Sequence, residues 1–294
     1  MIGIDYLFNE HQRIFWLYLA SAFVIALYFV WRRPEYRKIL FAKTIWWHRS
    51  AQLDYLYFFV IALIKALLIA PLLFSAAEVA LAMVKGMQLL FGYQPMLRWE
   101  KTAIVLLYTL ALFVVSDLTR YWLHRMMHRI PLLWRFHRVH HSAEVLNPAT
   151  FYRVHPVENL LFGLRYALSA GFVSGIFIYF FGARVGLVEF LGANAFVVLF
   201  TLAGANLRHS HLPLRFPAVF EKIFVSPYMH QLHHSTTHTH TNFGGALSIW
   251  DALFGTRLIQ KSEDLRFGID ENVNHNSVLA LLFEPFNLHT GTEK

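Results

Sequence analysis

Stretches of about twenty residues with little or no charge constrain this chain most. A backbone inside lipid must satisfy its own N–H and C=O groups, and it does so only as a helix or a closed barrel. Residues 14–31 (IFWLYLASAFVIALYFVW) form one such stretch, and 102–116 (TAIVLLYTLALFVVS) a second. Residues 160–182 and 185–206 form two more with almost nothing between them, which reads as a membrane hairpin over 160–206. Residues 55–84 are long enough but contain Lys65, Pro71 and Glu78. They read as one kinked span or as a span plus an interfacial piece. Lys65 is then either a functional charge or one that snorkels to the interface. Composition agrees with a membrane protein: 15% of residues are charged, against ~25% in soluble domains, and mean hydropathy is +0.42. The expected fold is all-α, an integral membrane helical bundle of about four to five spans, carrying a helical histidine-rich metal-binding cap.

Positive charge orients such a bundle, because Lys and Arg concentrate on cytoplasmic loops. Residues 32–50 hold Arg32, Arg33, Arg37, Lys38, Lys43 and Arg49, and residues 120–159 hold Arg120, Arg125, Arg129, Arg135, Arg138 and Arg153, whereas the hairpin tip has only Arg184. With the N-terminus outside, both rich segments and everything after 206 fall on the cytoplasmic side. The net charge of +8 therefore reads as basic loops, not as a nucleic-acid surface. The opening MIGIDYLFNEHQR lacks a charged segment ahead of its apolar run, so no cleavable signal is expected. Residues 214–225 (LRFPAVFEKIFV) read as an interfacial or simple connecting helix. The expected division is a transmembrane region over 1–99, a catalytic domain over 100–260 and a cytoplasmic tail over 261–294.

Thirteen of the 17 histidines lie between 124 and 240. They form HxxxH (His124, His128) and two copies of HxxHH (His137, His140, His141 and His230, His233, His234). On a helix, positions i, i+3 and i+4 share a face, so each pattern aims two or three imidazoles one way. Imidazole suits Fe, Zn, Cu and Ni. Eight imidazoles exceed what one tetrahedral ion needs and suit two ions. The chain has no cysteine, which excludes thiolate ligands, iron–sulfur clusters and a thiol nucleophile. Metal-bound imidazoles usually donate their second nitrogen to a carboxylate or carbonyl. Asp117, seven residues before His124 on the same helical face, is one candidate for that role. Glu144, Glu158, Asp251 and Asn242 are others. His11, His48, His275 and His289 read as ordinary histidines.

At DLTRYWLHRMMH, HRVHHS, RVHPVEN, NLRHSHLPL and SPYMHQLHHSTTHTHTNFGGALSIWDALFGT the chain resembles the fatty acid hydroxylase/sterol desaturase superfamily over roughly 100–258. The order of HxxxH, HxxHH, apolar hairpin and HxxHH, followed by an asparagine–aromatic–glycine turn and WDALFGT, carries the resemblance. It implies a non-haem centre of two Fe ions, for which Zn can substitute in the purified protein because it outcompetes Fe(II) at imidazole sites. It also implies O2 as co-substrate and oxidation of an unactivated C–H bond of a lipid, such as a fatty acyl chain, sterol or ether lipid. The implied ligands are His124, His128, His137, His140, His141, His230, His233 and His234. Two more are placed to join them: His209, just past the hairpin, and His155, which precedes Pro156 at the foot of the next span. His211, His238 and His240 stay unassigned. The chain shows no dinucleotide-binding GxGxxG and no haem-domain region, so a separate electron donor of ferredoxin or cytochrome b5 type is expected. The basic face suits an acidic one. The competing reading is a membrane zinc hydrolase or a metal-binding protein. The hydrolase would want a carboxylate base beside the ligands, as in HExxH, and none adjoins them in the sequence.

Overall fold

The computed structural model describes residues 3–93, 97–190, 193–260, 264–269 and 276–287. Among these the regular elements are helices, apart from a two-residue antiparallel pair, Glu189–Phe190 with Ala193–Asn194, and two isolated bridges. The main helices are α1 (Trp16–Arg32), α2 (Arg49–Ile64), α3 (Ala76–Phe91), α4 (Lys101–Arg129), α5 (Pro131–His141), α6 (Pro156–Phe181), α7 (Ala195–Leu202) and α8 (Pro227–His234). Among the described residues three helical paths are long and apolar enough to cross a membrane: Arg49–Phe91, Lys101–Arg129 and Pro156–Phe181. Trp16–Arg32 is a shorter apolar helix.

The path from 49 to 91 is broken in the middle. After α2 the chain makes a π-helical turn over Lys65–Ile69 and a 3-10 turn over Ala70–Leu72 that contains Pro71. Proline removes a helical donor and clashes with the preceding turn, so the helix cannot run through it. Ser75 then starts α3 with a capping box, its hydroxyl accepting from Glu78 N–H while Glu78 accepts from Ser75 N–H. α3 lies against α6, where a Cβ on Gly171 would meet Val79 Cβ at 2.4 Å and one on Gly175 would meet Met83 Cβ at 2.5 Å. Two glycines four residues apart let the backbones approach, the packing that apolar helices use in lipid.

The expected span over 185–206 is not a continuous helix. Among its described residues only the eight of α7 are α-helical, about 12 Å at 1.5 Å per residue against a hydrocarbon core of ~30 Å. Asn194 caps the start of α7 by accepting from Phe196 N–H. Gly204, at φ 97°, sits in the left-handed region beyond its end. The rest of the returning leg is tied to α4, where Thr109 Oγ1 accepts from Val188 N–H at 2.8 Å and Thr109 O accepts from Asn194 Nδ2 at 3.3 Å. Irregular backbone survives in an apolar setting when its polar groups are satisfied in this way. α1 packs along the same leg: Tyr18 meets Val198, and Ala22, Ala26 and Val30 meet Leu207, Leu212 and Leu214. It therefore runs beside the return path up to the histidine-bearing segment.

Within 214–225 only Ala218–Glu221 is helical. Residues 278–287 pack back onto the core: Val278 and Leu281 join the cluster around Tyr57, and Glu284 pairs with Arg138 at 2.6 Å.

Candidate metal centre

α4 delivers His124 and His128 one turn apart, α5 delivers His137, His140 and His141, and α8 delivers His230, His233 and His234. His209 arrives from the connection after α7. These nine rings are buried and sort into two groups that cut across the sequence patterns. His124, His128, His137, His141 and His233 form one group, and His140, His209, His230 and His234 the other. Within each group one nitrogen per ring lies within 4.8 Å of all the others. The groups touch, with His141 stacked on His234 at 4.5 Å between ring centres and His233 stacked on His230 at 5.5 Å.

Hydrogen bonds fix which nitrogen faces inward. His124 Nδ1 donates to Phe243 O at 2.9 Å, His137 Nδ1 to Glu158 Oε1 at 2.9 Å, His233 Nδ1 to Thr241 O at 2.8 Å and His140 Nδ1 to Arg153 O at 3.2 Å. Each neutral ring so held keeps a bare lone pair on Nε2. Nε2 of His124 and His137 then face each other at 3.1 Å, a repulsive contact unless a cation sits between them. The second group repeats this as a triangle, with Nε2 separations of 3.2 Å for His209–His234, 3.3 Å for His230–His209 and 3.2 Å for His234–His230. The centre of that triangle is about 1.9 Å from each vertex, close to the ~2.0–2.1 Å of a metal–imidazole bond. Both nitrogens of His128 and of His141, and Nε2 of His233, are buried without a hydrogen-bond partner, which native proteins rarely leave so. These donors fit two metal ions. Burial also holds the rings neutral, as ligation requires. It lowers the pKa of His137 to about 3 and that of His140 to about 4. Those of His141, His209, His230, His233 and His234 fall well below the usual value.

Not every expected residue joins. His155 stands outside both groups because its two nitrogens are already engaged. It caps α6, with Nδ1 accepting from Val157 N–H at 3.1 Å, and Nε2 donates to Leu282 O at 3.0 Å. His211 accepts from Leu146 N–H at 3.1 Å, and the His240 ring lies 5.9 Å from His128. Of the expected supporting carboxylates only Glu158 bonds a clustered histidine directly. Asp117 instead accepts from Ala246 N–H, Leu247 N–H and Trp250 Nε1–H. Asp251 accepts from Phe243 N–H, Gly244 N–H and the Thr256 hydroxyl. The two clamp the 243–251 loop and thereby set the Phe243 carbonyl that orients His124. Asn242, at φ 52°, donates to Met229 O and Leu258 O and so pins α8. Glu144 meets His48 at 3.9 Å, away from the centre. His275 and His289 lie outside the described residues.

Sequence reasoning missed the carbonyl acceptors Phe243, Thr241 and Arg153. It also missed Asp54, a buried carboxylate on α2 that takes Arg153, Thr150 and Asn147. Asp54 fixes the loop after α5 and hence the Arg153 carbonyl under His140. Its one signal in the sequence is an acid at the edge of the apolar run of α2.

The fatty acid hydroxylase family profile matches residues 109–256. The chain is 32% identical to ornithine lipid hydroxylase OlsE of Rhizobium tropici over 49% of this chain and 39% of that protein. It is 27% identical to alkylglycerol monooxygenase of Xenopus tropicalis over 60% of this chain and 34% of that one. It is 29% identical to very-long-chain aldehyde decarbonylase CER1 of Arabidopsis thaliana over 54% and 25% respectively. The matched region is thus well under half the length of these relatives. No solved structure matches. All nine clustered histidines and both loop-clamping aspartates fall inside the matched half, and on that ground the chain belongs to the fatty acid hydroxylase family.

Proposed function

We propose that this protein is a membrane-bound non-haem di-iron oxygenase that hydroxylates, or by the same chemistry desaturates, an unactivated C–H bond of a lipid. The observation that carries this is the pair of adjoining, all-imidazole nitrogen groups reached by an apolar cavity. That cavity, of about 460 Å³, is lined by α1 side chains such as Leu19, Phe23 and Ala26 and by Ile39, Ile45 and Trp46, and His209 is part of its wall. An alkyl chain fits such a surface, and burying it excludes water from the centre. Imidazole ligands suit the oxidant because no thiolate is present to be consumed.

Iron held in the two groups would supply dioxygen reduction and C–H oxidation. The protein's own part is to orient. The Nδ1–H donors on His124, His137, His140 and His233 lock tautomer and ring plane, and Glu158 raises the basicity of His137. Hydroxylation consumes one O2, two electrons and two protons per hydroxyl and water formed, so an external donor is required. A ferredoxin or cytochrome b5 type suits the basic Arg-rich segments. The zinc-hydrolase alternative predicts activity without oxygen.

The test is reconstitution of the purified chain with Fe(II) or with Zn(II). The expected result is two ions per chain in either case and lipid- and reductant-dependent oxygen uptake only with iron, yielding a lipid heavier by one oxygen or lighter by two hydrogens. An iron-loaded chain that takes up no oxygen with any lipid class and donor offered would refute the oxygenase.

A further inference from the structure

Beside the metal centre lies a second, smaller cavity of about 170 Å³ whose walls include His124, His137 and His140 together with Lys65, Arg120 and Arg208. Glu158 is its one acidic wall residue, and its Oε1 is already taken by His137. Among the described residues none of these three cations forms an ion pair with a carboxylate. Arg120 lies over the Phe162 ring at 5.2 Å, Arg208 over Phe200 at 5.5 Å and Lys65 over Tyr6 at 5.9 Å. Arg208 is 4% exposed. One of its amino groups donates to Gly245 O at 2.9 Å, while its Nε has no partner. Arg13 lines the adjoining space with Arg208 and His209.

Arg208 is buried and Lys65 and Arg120 are half-buried. Asp117, the carboxylate nearest Arg120 and Arg208 besides Glu158, is already taken by three donors from residues 246–250. Cations so weakly countered are costly and mark function. Aromatic faces offset only part of that cost. Two metal ions would add further positive charge, so what is missing is an anion. Lys65 strengthens the case. It interrupts an apolar helix and opens the π-helical turn over 65–69, a distortion frequent at functional sites. It is a wall of this cavity, which answers the question its position in the sequence poses.

We propose that this cavity binds the oxyanion of the lipid substrate, a carboxylate or a phosphate, through Arg208, Arg120 and Lys65, while the alkyl part occupies the apolar cavity on the other side of His209. Arginine suits either oxyanion because its planar fork donates two parallel hydrogen bonds. The proposal rests on the lipid-oxygenase reading, but binding tests it without turnover.

The metal-loaded full chain in neutral detergent is titrated with two pairs of probes: palmitate against hexadecanol, and palmitoyl-lysophosphatidate against monopalmitoylglycerol. At least one anionic probe is expected to bind tenfold or more tighter than its neutral partner. Arg208→Gln and Lys65→Met should each abolish most of that difference while leaving metal content and neutral-probe affinity within about twofold. Arg32→Gln, at an exposed arginine, should change nothing. Lys65→Met stands on a different segment and decides the matter if Arg208→Gln fails to fold. Equal binding within both pairs, or discrimination that persists in the variants, overturns the proposal. Inorganic phosphate binding as tightly as the lipid anions would assign the cavity to a free anion and overturn it likewise. Charge discrimination without oxygen uptake would refute the oxygenase and leave the pocket standing, and oxygen uptake without discrimination would do the reverse.

Discussion

Whether a histidine here is free to serve as a ligand depends on what its second nitrogen does. His209 and His155 looked equivalent in the sequence, each just outside a cluster at the foot of an apolar segment. The structure separates them, since His209 presents Nε2 to His230 and His234 whereas His155 has spent both nitrogens on backbone groups. We expect His209→Ala to lose the ion of the four-histidine group and at least 100-fold of turnover, with the other ion retained. His155→Ala should keep both ions and lose only stability, about 1 kcal/mol for the helix cap. Elemental analysis beside a melting curve checks both. The buried rings also set a pH dependence. In the unfolded chain they titrate near 6.5, but folded His137 and His140 titrate at about 3 and about 4. Between those values the unfolded state binds more protons, so stability falls as pH drops below 6.5 and keeps falling towards 3, by about 1.4 kcal/mol per pH unit for each such ring. The metal-free protein should therefore melt progressively lower from pH 7 to pH 5. An unchanged melting point would mean the rings are not held neutral.

At the scale of elements, what was legible was local. The three histidine patterns could be placed on helices because i, i+3 and i+4 spacing is a property of one helix. α5 and α8 each begin with proline at the first helical position, a signal read within a few residues. The partition into two groups was not legible, because His141 leaves its neighbour His140 to join His124 from another helix. Nor could 185–206 be resolved, since apolar content alone does not distinguish a span from a satisfied, irregular return. Asp117 shares the helical face of His124, but three donors from residues 246–250 occupy it instead. The contribution of α2 is the least visible, as it works through a buried ion pair 99 residues apart in the chain. Asp54→Ala would leave the Arg153 guanidinium buried and unpaired, at a cost of about 3–5 kcal/mol. It should also loosen the Arg153 carbonyl that orients His140. We expect a strongly lowered melting temperature and selective weakening of the four-histidine ion. Equal loss of both ions at retained stability would contradict that route.

For the whole molecule, the long helices define two ends. α3 and α6 run parallel, as shown by Gly163 against Leu73, Gly171 against Val79 and Gly175 against Met83 in the same order along both chains. α4 returns between their far ends and the histidines. At the far end Tyr179 donates to Gly92 O, Leu97 N–H to Phe180 O and Arg184 Nη1 to Trp99 O, so the far ends of α3 and α6 and the start of α4 meet there, away from the clustered histidines. The far end carries Arg98, Lys101 and Arg184, whereas the segments 32–50 and 120–159 carry six Lys or Arg each. Lys and Arg are retained on the cytoplasmic face, so the metal centre is expected to face the cytoplasm, where a soluble electron donor can reach it. Reporter fusions after residues 145 and 260 should give the cytoplasmic signal and a fusion at 183 the opposite one. If 145 and 260 instead report the outer side while 183 reports the cytoplasm, the bundle is inverted and no cytoplasmic donor could serve it. If all three report the same side, α6 does not cross, and the three-path membrane arrangement itself fails.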